Sequence, residues 1–147
     1  MNGSQTTAFA TFNGASAVAF IYERAAKRLT PLAGFPLEGD RKPAFDDDRG
    51  RVFKSFSARR SAAEPPTDPE KELERGFVDT VAKRLEGLRA AGAFDRLIVA
   101  ATPRALGYWR DVATASLAAA VRREVAGDYV KSDEATLLKV VEEAFLG

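Results

Sequence analysis

The chain has 147 residues, 46% of them hydrophobic, which suits one domain with a real core. Its 22 basic and 21 acidic residues leave a net charge of +1, so any preference for a polyanion must be local. Neither cysteine nor histidine occurs, which excludes disulfides, thiolate and imidazole metal sites, cysteine nucleophiles and Ser-His-Asp hydrolysis.

Met1 to Thr7 lacks a basic n-region, and the apolar stretch Ala8 to Ile21 is interrupted by Asn13, Gly14 and Ser16. Neither a signal peptide nor a membrane span is expected, and the cytoplasm is the expected compartment. Ala8–Phe12 reads as a strand and Ala17–Tyr22 as its return. Asn13-Gly14 between them is a hairpin signal, because both residues tolerate positive φ. Lys27–Ala33, with Leu29 and Leu32, completes an expected antiparallel meander. Residues 34–67 then mix Gly, Pro and charge without sustained periodicity, which predicts a long basic loop.

Asp68 and Pro69 predict a helix start by cap and first-turn proline, with Leu73, Phe77, Val81, Leu85 and Leu88 as its apolar stripe and Gly92 as its stop. Leu97–Ala101 is a short, wholly apolar run, expected to be a strand buried on both faces beside a parallel neighbour. Thr102-Pro103 repeats the cap-plus-proline signal. The stripe Leu106, Trp109, Ala113, Leu117 and Val121 predicts a helix over 103–121. An edge strand is expected within Glu124–Lys131. Ser132 is expected to cap a last helix over 133–145, with Leu137, Leu138, Val141 and Phe145 inward. The order β-β-β-loop-α-β-α-β-α predicts an α/β fold: a mixed sheet of about five strands with helices packed on it, an order shared with ribonuclease-H-like proteins.

Two segments carry a family resemblance. One joins Asp48-Arg49-Gly50-Arg51-Val52-Phe53 to Arg59-Arg60-Ser61-Ala62-Ala63-Glu64-Pro65-Pro66-Thr67-Asp68-Pro69. The other joins Phe94-Asp95-Arg96-Leu97-Ile98-Val99-Ala100 to Pro103-Arg104-Ala105-Leu106-Gly107. In these the chain resembles the bacterial host attachment protein family over roughly residues 7–146, that is, as a single domain over 1–147. The resemblance implies a fold similar to the middle domain of peptide-chain release factors, and a requirement in attachment to host cells. It carries no catalytic assignment: release factors act through Gly-Gly-Gln, and the lone glutamine here, Gln5, follows Ser4. The family commonly has an acidic residue where this chain has Asn13.

Three features bear on function. In residues 49–60, Arg49, Arg51, Lys54, Arg59 and Arg60 lie with Phe53 and Phe56 and no acid. Arginine forks suit phosphates and aromatic faces suit unpaired bases, which points to RNA or a ribosomal surface. The alternative is a segment that Phe53 and Phe56 pin to the core while Asp46, Asp47 and Asp48 neutralise it. The second feature is the turn Thr102-Pro103-Arg104, where a strand meets a helix N-terminus, a place that attracts anions. The bland reading is an ordinary capped helix start. The third is a set of carboxylates, Asp46, Asp47, Asp48, Asp95 and Asp128, considered for a two-magnesium hydrolase. The first strand lacks the acidic residue such a site needs. No catalytic residue, metal ligand or cofactor is therefore assigned. The leading expectation is a non-catalytic interaction protein, and the alternative from another class is an envelope-associated adaptor.

Overall fold

The computed structural model describes residues 5–39 and 68–146. Six strands form one mixed sheet: β1 (Thr7–Phe12), β2 (Ser16–Glu23), β3 (Arg28–Pro31), β4 (Leu37–Glu38), β5 (Arg96–Ala101) and β6 (Val121–Ala126). The order across the sheet is β3-β2-β1-β5-β6, with β4 paired to β2. β1 runs antiparallel to β2 and parallel to β5, and β6 is parallel to β5. The expected α/β mixed sheet of five strands is present, and the two-residue β4 is an addition inside the stretch read as loop.

Every residue of β1 is buried, as is β5 from Leu97 onward. Both strands are central, and their alternate residues feed two cores. Ala8, Ala10 and Phe12 of β1, with Leu97, Val99 and Ala101 of β5, face α1 (Pro69–Ala90), α2 (Pro103–Val112) and α3 (Ala115–Ala120). Phe9, Ile98 and Ala100 face α4 (Glu134–Leu146) on the other side. The result is a three-layer sandwich, helices on both faces of the sheet. Trp109 is buried and lies 5.6 Å from the Phe12 ring, which confirms it as a core residue.

The helix starts follow their caps. Asp68 accepts from the Glu70 amide at 2.9 Å with Pro69 behind it, and Thr102 accepts from the Ala105 amide at 3.3 Å. Gly92, at φ 89°, is the left-handed stop after α1. Phe77, Val81 and Leu85 are buried as the stripe predicts, but Leu73 is 50% exposed at the open end of the helix.

Four details differ from the sequence reading. Neither Asn13 nor Gly14 has positive φ; the Asn13 side-chain carbonyl closes the turn instead, accepting from the Ala15 and Ser16 amides at 2.8 Å each. The expected 103–121 helix is two helices, because Ala113 is extended and the Thr114 hydroxyl starts a new cap by accepting from the Leu117 amide. β6 consequently starts at Val121 and ends at Ala126, earlier than the expected edge strand. Asp133, not Ser132, caps α4, accepting from the Thr136 amide at 2.9 Å.

Candidate functional site

β1, β5 and β6 are parallel, so their carboxyl ends open on one side of the sheet, the place where open α/β sheets bind ligands. A cleft of about 540 Å³ lies there, lined among others by Asn13, Glu74, Thr102, Arg104, Tyr108 and Asp128. Three connections and two helices build it. Asn13 extends from the β1–β2 turn, Thr102 from the β5–α2 turn, Arg104 and Tyr108 from α2, and Asp128 from the chain just past β6. α1 brings Glu70, Leu73 and Glu74.

These parts are bound to one another. The Asn13 amide donates to both Asp128 carboxylate oxygens, at 3.2 and 3.4 Å. Asp128 is held in turn by the Val130 amide at 3.3 Å. Arg104 donates to Glu74 at 2.9 Å. Glu74 also bears on Gly14: a Cβ there would come within 2.6 Å of the Glu74 side chain, so glycine lets the turn lie against α1 without displacing Glu74. The Glu74 hydrogen bond, and then its charge, push the Arg104 pKa further above its ordinary value.

The sequence-level candidates are distributed as follows. Thr102 and Arg104 both border the cleft, but each has a partner: the Thr102 hydroxyl caps α2 and the Arg104 guanidinium pairs with Glu74. With Glu70, Glu74 and Asp128 set against one guanidinium, the cleft is richer in hydrogen-bond acceptors than an anion site requires. Arg49, Arg51, Lys54, Arg59 and Arg60 lie outside the described residues, as do Phe53, Phe56 and Asp46 to Asp48. Asp95 and Asp128 stand at opposite ends of the sheet. Asp95 precedes β5 and accepts from the Thr6 amide at 3.0 Å, whereas Asp128 follows β6. Among the described residues, no group of three or more acidic side chains is placed to hold a metal ion. No described helix is long and apolar enough to cross a membrane.

Sequence reasoning did not single out Asn13, Gly14, Glu70, Glu74 or Tyr108 as site residues. One signal was available: Glu70 and Glu74 are one helical turn apart in the first two turns of α1, on the side where Leu73 breaks the polar face. The described residues that flank the 40–67 segment also border this region. The Gly39 amide donates to the carbonyl of Ala15, a cleft residue, and Asp68 caps the helix whose second residue, Glu70, lines the cleft.

Residues 8–141 match the family model described as "Protein required for attachment to host cells". Comparison with curated proteins finds no match. Among solved structures, the crystal structure of an archaeal translation termination factor, aRF1, aligns over 96% of this chain and 39% of that one, at 14% identity and a TM-score of 0.49.

Proposed function

The chain belongs to the host attachment family, and from that premise we propose that it is a non-catalytic interaction protein whose partner is RNA, free or on the ribosomal surface. The observation that carries this reading is the 49–60 segment, with five cations, two aromatics and no acid in twelve residues. Phosphate contacts from Arg49, Arg51, Lys54, Arg59 and Arg60 would supply affinity without regard to sequence. The cleft supports a complementary role. The carboxylates of Glu70, Glu74 and Asp128 that line it are hydrogen-bond acceptors, which suits the amino edge of an unpaired base better than a phosphate. Tyr108 lines the same cleft and offers a ring face. Thr102 and Arg104 line the same cleft, and the described residues Gly39 and Asp68 adjoin it.

Capture of tagged protein from native lysate, with and without ribonuclease, tests this reading. RNA should co-purify, and any co-purifying protein should be lost on ribonuclease treatment. Capture that ribonuclease leaves unchanged would contradict it. The family's description, required for attachment to host cells, favours a second reading, an envelope-associated adaptor in attachment to host cells. Cell fractionation separates the two, since the adaptor would sediment with envelope and the RNA-binding protein with ribosomes or the soluble pool.

A further inference from the structure

At the end of the sheet opposite the cleft, three arginines from three strands converge on one aromatic ring. Arg24 follows β2, Arg96 opens β5 and Arg122 is the second residue of β6. Their Cζ atoms lie 4.7, 5.6 and 5.0 Å from the centroid of Phe145 in the last turn of α4. Tyr22 meets the same ring edge-on at 5.8 Å. None of the three guanidiniums has a salt-bridge partner among the described residues. The adjacent carboxylate, Glu142, is 3.7 Å from the Lys27 ammonium. The Arg96 Nε–H is buried without a hydrogen-bond partner.

Part of this arrangement serves the fold. α4 has no basic residue in its own last turn, and Arg123 donates from β6 to the Ala144 carbonyl at 3.0 Å. The negative end of a helix is equivalent to about half an elementary charge, however, and Arg123 already addresses it. Arg24, Arg96 and Arg122 therefore surround one ring, each Cζ within 5.6 Å of its centroid, without a salt-bridge partner among the described residues. Cation–π contact with the ring restricts these side chains, which lowers the entropic cost of a further hydrogen bond. The group that fits several fixed arginine forks is a phosphate, with its several acceptor oxygens.

We propose that Arg24, Arg96 and Arg122, gathered on Phe145, form a phosphate-binding site. It stands independently of the 49–60 segment and of the cleft. The ligand is a phosphate group, whether free or within a polynucleotide backbone.

The test is a titration of inorganic pyrophosphate into the nitrogen-15-labelled full chain, followed through the arginine Nε–H resonances, with sodium chloride at matched ionic strength as control. The resonances of Arg24, Arg96 and Arg122 should move saturably, while those of Arg75 and Arg110, already paired with Asp111 and Glu124, should not. Arg24→Gln and Arg122→Gln should each weaken pyrophosphate binding about tenfold or more, the loss expected for one charge-assisted contact. Arg122→Lys should recover only part of it. The Arg49, Arg51, Arg59 and Arg60→Ala chain should keep the pyrophosphate response whether or not it has lost RNA binding, which separates this site from the function proposed above. A short oligoribonucleotide that moves the same three resonances identifies a backbone phosphate as a source. Response to pyrophosphate without response to the oligoribonucleotide identifies a free phosphate compound. Absence of any saturable shift with either probe overturns the proposal. So does a loss of melting temperature in the Gln variants while pyrophosphate binding stays unchanged, which would leave the cluster as a clamp for α4 alone.

Discussion

Replacing Asn13 with Ala removes the side chain that closes the β1–β2 turn and ties it to the far side of the cleft. Its carbonyl accepts two backbone N–H bonds of 2.8 Å, and its amide reaches Asp128 at 3.2 Å across the open mouth. Each backbone bond contributes a net of about 1 kcal/mol, and the exposed Asp128 contact a few tenths, so Asn13→Ala should cost about 2 kcal/mol. Urea denaturation with an unchanged slope would measure it. Asn13→Asp separates the two roles. It keeps both accepted bonds but sets a second carboxylate against Asp128. It should be less damaging than Ala, and its residual loss should fade as pH falls. In that variant the two carboxylates repel, which raises the folded pKa of the pair, so the penalty is full above the raised value and fades to nothing as pH falls to the unfolded carboxylate pKa of about 3.9. A cost for Asn13→Ala below about 0.5 kcal/mol would refute the reasoning, since two part-buried backbone bonds contribute more than that. Equal damage from Asp and Ala at every pH would refute it as well.

Phe77→Ala should cost about 3 kcal/mol, the low end for a core phenylalanine because 8% of the residue remains accessible. A loss below about 1 kcal/mol in chemical denaturation would place Phe77 outside the core. Thr11 is fully buried on β1 and its hydroxyl has no hydrogen-bond partner, so Thr11→Val should stabilise the fold by about 1 kcal/mol, read by the same assay; destabilisation would show that the hydroxyl is satisfied. Hydrogen bonds from Thr136, backbone first, hold the Asp133 carboxyl below its usual pKa. Its stabilising effect is therefore present above the unfolded carboxylate pKa of about 3.9 and lost as pH falls through the lower folded value. The melting-temperature gap between wild type and Asp133→Ala should be constant near neutrality and close in strong acid, and a gap that widened on acidification would contradict the cap.

Local signals were legible where one segment contains its own explanation. Asp68-Pro69 and Thr102-Pro103 announced their helices because cap and proline act on adjacent backbone. Leu97–Ala101 announced a central strand because burial on both faces leaves no polar alternation. The break at Ala113 and Thr114 was hidden, since Leu117 continues the helical spacing across it and both helices bury that residue type on the same core. β4 is two residues long and owes its existence to β2, not to its own composition. The cleft was only half visible. Thr102 and Arg104 mark themselves by position, but Asn13 and Asp128 are 115 residues apart and meet only because β1 and β6 flank β5 in parallel. Phe145 read as an ordinary inward residue; that Arg24, Arg96 and Arg122 share its ring depends on three strand ends meeting at one edge of α4.

The central claim, an RNA partner engaged through the basic segment, is tested most directly by fluorescence anisotropy of a labelled single-stranded oligoribonucleotide across a salt series. Each phosphate contact to a single strand contributes about −0.7 to the slope of log affinity against log salt, so ~3–5 contacts predict a slope of about −2 to −3.5. The chain with Arg49, Arg51, Arg59 and Arg60 replaced by Ala should show a flatter slope and an unchanged melting temperature. Absence of binding even at low salt, or a slope that those substitutions leave unaltered, would contradict the claim.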